Sequence, residues 1–264
     1  MKVKESLRKF VLICVIGLTL IAVFLLRSHV AQVPKTVPKP ASPLVNNTEV
    51  KSNNETTPKK VIYLTIDADM SQSMAKRLHD GEVPAWYDPQ LVEYLKTNSV
   101  PATFFVSGLF AENYPELIKS LNATGNYTFE NHSYDESGFT PKCYNLNILT
   151  TDQKKINQIN KTQDILKNLT GRTPIYFRFP GICQSQHDDE LVKSLGLTNN
   201  DGDVVASDPF NTNTAAIIAN ILRQAKPNGV IIMHIGGPNA PKSFEVLEQI
   251  IPKLTSQGYT IQHL

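Results

Sequence analysis

The sequence predicts an α/β fold, a parallel (β/α) barrel of about seven units preceded by one N-terminal transmembrane helix. Three observations carry this. From residue 60 onward, short β-branched or apolar runs alternate with longer amphipathic ones, the pattern of repeated strand–helix units. Near the start, Lys2, Lys4, Arg8 and Lys9 precede an uninterrupted apolar run over residues 10–26 that ends at Arg27. Between the two, residues 28–59 are rich in Pro, Asn, Thr, Val and Lys with no apolar period, the composition of a flexible linker. An open doubly wound sheet would give a similar alternation.

The 17 residues of the apolar run lie at the short end of the range that crosses a bilayer as a helix. The basic flank belongs on the cytoplasmic side. Residues 1–27 are therefore expected to form a basic stub and a single-pass anchor in the cell membrane, and the domain over 60–264 to be extracytoplasmic. A cleaved signal segment and a secreted domain are the alternative, although Ser28, His29, Val30, Ala31 and Gln32 lack the small-x-small pattern of a cleavage site.

Within residues 60–264, strands are expected at 61–66, 102–106, 127–131, 175–179, 230–234 and 260–263, with a further one within 199–205. Helices are expected at 89–97, 115–123, 151–169, 188–194, 214–225 and 243–257. Asp152, Asp188 and Thr214 suit first-turn or capping positions, and Gly125, Gly171, Gly196 and Gly258 fall at helix ends. An apolar content of 41% in 264 residues is enough for a substantial core. With 26 basic against 24 acidic residues, the charge of +2 offers no field for nucleic acid, and a monomer is expected.

In parallel βα folds the chemistry gathers at the C-terminal ends of strands. The first strand ends in Asp67, Ala68 and Asp69. The third runs into His132 with Glu136 four residues on, the fourth ends in Arg178, Phe179, Pro180 and Gly181, and the sixth ends in His234. Two carboxylates, two histidines, an arginine and a further acid would converge on one mouth.

Those residues in that order resemble the polysaccharide deacetylase family, the chitooligosaccharide deacetylase or NodB homology domain. The resemblance runs from about Lys60 to Leu264 and includes Ala102-Thr103-Phe104-Phe105-Val106 and the run from Gly229 to His234. It implies a distorted (β/α) barrel, an acetylated glycan as substrate and a divalent metal, zinc first, with manganese or cobalt as alternatives. By the same resemblance Asp67 is the base that takes a proton from the attacking water, Arg178 orients it, and His234 is the acid for the leaving amine. Asp208 tunes His234, and the Gly181 N–H stabilises the oxyanion.

The family's usual adjacent aspartate pair is here split by Ala68, so Asp69 is the expected metal ligand beside His132. The second metal-binding histidine is replaced by Glu136, and a carboxylate in that place makes the set harder and more negative. The aromatic residue that usually follows the proline of the third motif is Gly181, which is expected to open the site. Trp86 and Tyr87 fit either a platform for a sugar ring or core or loop packing. Cys143 and Cys183, the two cysteines outside the apolar run that holds Cys14, fit either a disulfide bracing the mouth or two free thiols. His29, His79, His187 and His263 have no motif around them. The resemblance implies removal of N-acetyl groups from a cell-wall or surface polysaccharide. A carbohydrate-binding pseudoenzyme and an O-acetyl esterase are the alternatives.

Overall fold

The computed structural model describes residues 60–264. The expected anchor and linker lie outside the described residues, and among these no helix is long and apolar enough to cross a membrane.

Eight strands form one parallel sheet: β1 (Lys60–Ala68), β2 (Ala102–Val106), β3 (Tyr127–Asn131), β4 (Tyr176–Phe177), β5 (Thr198–Asn199), β6 (Val204–Val205), β7 (Gly229–His234) and β8 (Tyr259–Gln262). Their order is β5-β4-β3-β2-β1-β7-β6, with β8 alongside β1. β8 pairs with the start of β1 at Lys60 to Tyr63, and β2 takes over from Thr65 to Ala68. The curled sheet is a half-barrel. Its ends, β5 and β6, are consecutive in sequence, so the single strand expected within 199–205 is instead two short ones on opposite edges. The break falls at Gly202, where φ is +61° and the N–H bonds back to Asn200 Oδ1.

Alternation along the strands sorts the side chains. Ile62, Leu64, Ile66 and Ala68 of β1, Phe104 and Val106 of β2, and Ile231 and Met233 of β7 join the main core with the helices outside. Thr65, Asp67, Thr103 and Phe105 take the opposite face, which leaves the buried polar residues inside the curl. Register then places Asp67 of β1 directly beside His234 of β7.

The helices are α1 (Gln72–His79), α2 (Pro89–Thr97), α3 (Gly108–Asn113), α4 (Pro115–Asn122), α5 (Asp152–Thr170), α6 (Gln186–Ser194), α7 (Thr214–Gln224) and α8 (Ser243–Ser256). Their caps follow from composition. Thr151 caps α5, which ends on left-handed Gly171, and Ser185 with Asp188 forms a capping box at α6. Asn213, one residue before the expected Thr214, caps α7.

α5 and α6 are joined by a buried ion pair, Lys155 Nζ to Asp188 Oδ1 at 2.5 Å. Burial would raise the Asp188 pKa, but the Lys155 ammonium and the Ser185 hydroxyl and N–H outweigh it and hold the carboxyl below its ordinary value. The stabilisation is present above about pH 4, near the ordinary aspartate value, and is lost as pH falls through the depressed folded value. Lys155→Met strands a buried carboxylate, and urea unfolding at pH 7 is expected to show a loss of about 3–5 kcal/mol. The gap to the wild-type protein should close only as pH falls through the depressed folded value, below which Asp188 is protonated in both.

Candidate active site

At the C-terminal ends of β1, β3, β4 and β7 the structure opens a cleft of about 350 Å³ lined by Asp67, Asp69, His132, Glu136, Gly181 and His234. Arg178 lies fully buried beneath it, and Asp208 lies buried behind His234. All eight residues singled out in the sequence are therefore brought together, in three groups.

The first is Asp67 with Arg178. The guanidinium Nη1 donates to Asp67 Oδ1 at 2.6 Å and to Thr65 Oγ1 at 2.9 Å, and Nε donates to the Asn200 carbonyl at 2.9 Å. Its plane lies over the Phe105 ring, 3.9 Å from the centroid. A charge with no access to water thus has a partner on each side.

The second is Asp69, His132 and Glu136, with one donor atom from each within 4.8 Å of the others. His132 Nδ1–H donates to the Arg178 carbonyl at 2.9 Å, and a carbonyl can only accept, so in the neutral imidazole the lone pair sits on Nε2. Nε2 faces Asp69 Oδ1 at 3.2 Å and Glu136 Oε2 at 3.7 Å. Both oxygens are buried and neither has a hydrogen-bond partner. Three electron-rich atoms around one point, unpaired and out of water, fit a cation or trapped protons.

The ionisation of these groups has the same cause. Burial, and then the Asp69 charge, push Glu136 up to about 8. Burial opposes charge on His132, but the carboxylates of Glu136, Asp69 and Asp67 outweigh it and raise the imidazole to about 9. Burial would raise Asp69 as well, yet His132, His234 and Arg178 hold it below the ordinary value.

The third group is His234 with Asp208. Asp208 Oδ1 accepts from His234 Nδ1–H at 3.0 Å, and Oδ2 accepts from the His234 backbone N–H at 2.8 Å and from Ser243 Oγ at 2.5 Å. His234 Nε2 is left facing Asp69 Oδ2 at 3.5 Å on the cleft side. Burial works against protonation of His234, but Asp208 and, further off, Asp69 and Asp67 outweigh it and lift the imidazole to about 10.

One expectation is corrected. Gly181 does not leave the wall open, because an added Cβ would stand 2.7 Å from Cys143 Sγ and 2.9 Å from the Tyr144 ring. Cys143 is bonded to Cys183, so the disulfide and Tyr144 fill that space. Of the two readings left open for Trp86 and Tyr87, packing is the one the structure shows, and neither lines the cleft. Trp86 is buried with Nε1 donating to the Met74 carbonyl, and Tyr87 stands edge-on to Tyr114. His79 and His187 make surface pairs with Asn113 and Asp152, away from the site. Asn200 and Ser243, which complete the two ion pairs, carried no sequence signal, since they act from loops or helix starts far along the chain. Tyr144 and Phe210, which line the cleft, were also missed.

An α/β half-barrel thus carries an acid–arginine pair, an acid–histidine pair and a carboxylate–imidazole cluster together at its strand ends. The family model for polysaccharide deacetylase matches residues 54–200, and the chain belongs to that family. It is 30% identical to a peptidoglycan-N-acetylglucosamine deacetylase of Bacillus cereus, over 65% of this chain and 60% of that protein. It is 31% identical to the peptidoglycan-N-acetylmuramic acid deacetylase PdaC of Bacillus subtilis, over 76% of this chain and 37% of that protein. The chain thus spans less than two thirds of the length of either relative. The solved structure of PdaC aligns with a TM-score of 0.59 at 26% identity, covering 78% of this chain and 89% of that one. A CE4 family pseudoenzyme from Bacillus anthracis shares the fold, with a TM-score of 0.62 at 20% identity, covering 78% and 64%.

Because the folded pKa of His234 is raised, its pairing with Asp208 stabilises fully below the ordinary histidine value of about 6.5 and is lost as pH rises through about 10. Asp208→Asn removes the largest opposing charge. Titration of the metal-free protein followed by imidazole NMR should show His234 falling from about 10 toward its ordinary range. An unmoved titration would show that another group holds the proton.

Proposed function

We propose that this chain is a metal-dependent hydrolase that removes N-acetyl groups from amino sugars of a cell-wall or surface polysaccharide. One observation carries the reading: a single cleft holds a carboxylate oriented by a buried arginine, an imidazole held cationic by a buried carboxylate, and a cation-shaped donor set between them. The names of the relatives make peptidoglycan the first substrate to test.

Asp69, His132 and Glu136 would hold the divalent ion, which supplies Lewis acidity and lowers the pKa of water near it. Asp67 accepts the proton of the attacking water, and Arg178 keeps that carboxylate fixed and aimed. His234, charged at neutral pH through Asp208, donates a proton to the departing amine, so that amide and water become amine and acetate. The Gly181 N–H in the cleft wall is the proposed donor to the carbonyl oxygen as it gains charge. With two carboxylates in the donor set, manganese and cobalt stand beside zinc as candidates.

The Cys143–Cys183 disulfide supports an oxidising, extracytoplasmic setting, with residues 10–26 as anchor or export signal and 28–59 as linker. Glu136 in place of the family's second histidine also supports a second reading, a carbohydrate-binding pseudoenzyme. Acetate release separates the two.

The experiment is acetate release from N-acetylglucosamine oligomers and from peptidoglycan after chelation, with zinc, manganese and cobalt added back separately. Release is expected to return with metal and to fall about 10²–10⁴-fold in Asp67→Asn. No release with any metal would favour the pseudoenzyme. A second test needs no turnover. Ligation requires His132 Nε2 and the Glu136 carboxylate without their protons, so calorimetry at pH 7 in buffers of different ionisation enthalpy should show about two protons leaving per ion bound. Affinity should rise with pH up to about 9, where His132 titrates.

A further inference from the structure

We infer that Tyr144, locked beside Gly181 by the Cys143–Cys183 disulfide, is a specificity-determining residue that contacts a pyranose ring of the glycan at the cleft rim. The inference deepens the proposed function and rests on it for the class of ligand.

The apolar surface left exposed is concentrated at one place. Among the described residues the large exposed hydrophobics are Tyr144, Ile175, Ile182, Val205 and Phe210, and all but Ile175 line the cleft. Tyr144 and Phe210 are 60% and 71% exposed, with ring centroids 5.3 Å apart and planes 23° from parallel. Packing against each other does not explain so much uncovered ring, and an apolar rim around a polar catalytic floor is what a ligand with C–H faces and hydroxyl edges requires.

The backbone holds this ring at a conformational penalty. Lys142, Tyr144 and Asn145 all have left-handed φ, at +66°, +44° and +61°, and none is glycine. The Leu146 N–H bonds to the Cys143 carbonyl at 2.8 Å, and the Gly138 N–H to the Asn147 carbonyl at 2.7 Å, which closes the loop into a compact hook. Cys143 then ties the hook to Cys183, two residues beyond Gly181. A ring from the loop between β3 and α5 therefore stands in the space that a side chain at position 181 would claim. Strain maintained by a covalent tie, at a residue whose ring is mostly in solvent, fixes a contact surface at the cleft rim.

The test measures binding of an N-acetylglucosamine tetramer to the metal-loaded protein by calorimetry, in an Asp67→Asn background so that nothing turns over. Tyr144→Ala is expected to raise Kd about tenfold and Tyr144→Phe to stay within about twofold, because the ring face rather than the hydroxyl makes the contact. Replacing both cysteines by serine should weaken binding as Tyr144→Ala does. Equal binding by Tyr144→Ala, or no binding by the parent protein, would overturn the inference. Unchanged binding by the cysteine double variant would overturn the role of the disulfide. Tyr144-dependent binding with no acetate release from the wild-type chain would instead remove the proposed activity and leave the sugar contact standing.

Discussion

The site is organised around one buried charge. Arg178 has no contact with water, and a guanidinium in that position is tolerated only when its donors are met. Its side chain is satisfied from β1 by Asp67 and Thr65 and from the β5–β6 turn by Asn200, so it spans the inside of the half-barrel. Its backbone works as well. The Arg178 N–H bonds to Asn131 at the end of β3, and its carbonyl fixes the tautomer of His132. The acid expected to act as base and the imidazole expected to bind metal are thus both set by one residue, through different atoms.

The same arrangement draws on the two edges of the sheet. β5 and β6 lie at its two edges and are joined by residues 200–203, the segment that supplies the Asn200 carbonyl. Asn200 follows β5 directly and its N–H bonds to the Phe177 carbonyl of β4, which sets its own carbonyl beside the guanidinium.

Much of this was legible in the sequence, unevenly and for physical reasons. β2 and β3 are buried along their whole length and coincide with the expected strands at 102–106 and 127–131. The residues at the strand ends could be grouped because parallel βα topology sends them to one mouth. α1 was not visible, since only Ala75 of its eight residues is buried, with Met74 and Leu78 partly covered, and its start is marked by the Ser71 cap. α3 starts at Gly108 and is too short to show a period. Asn200 and Ser243 were hidden for a different reason, because a side chain that satisfies another across 22 or 35 residues leaves no local pattern. Among the aromatic residues, sequence left Trp86 open between platform and packing and the structure packs it beneath Arg77 of α1, while Tyr144 sits in a loop where periodicity says nothing.

The departures from the family pattern become intelligible when the charges in the cleft are balanced. Asp67 is cancelled by Arg178, and Asp208 by a protonated His234. What remains is Asp69 and Glu136 around the unprotonated face of His132, two negative charges in a buried space. Without a cation the protein meets that imbalance with protons, which is why Glu136 and His132 are pushed up to about 8 and about 9. A divalent cation would neutralise the same pair of charges directly. With a histidine at position 136 the set would carry one negative charge, and a bound ion would stay net positive and more strongly Lewis acidic. In the proposed metal-bound state Glu136 would therefore exchange acidity of the ion for electrostatic fit, and would shift more of the demand for activating water onto Asp67 and the arginine beneath it.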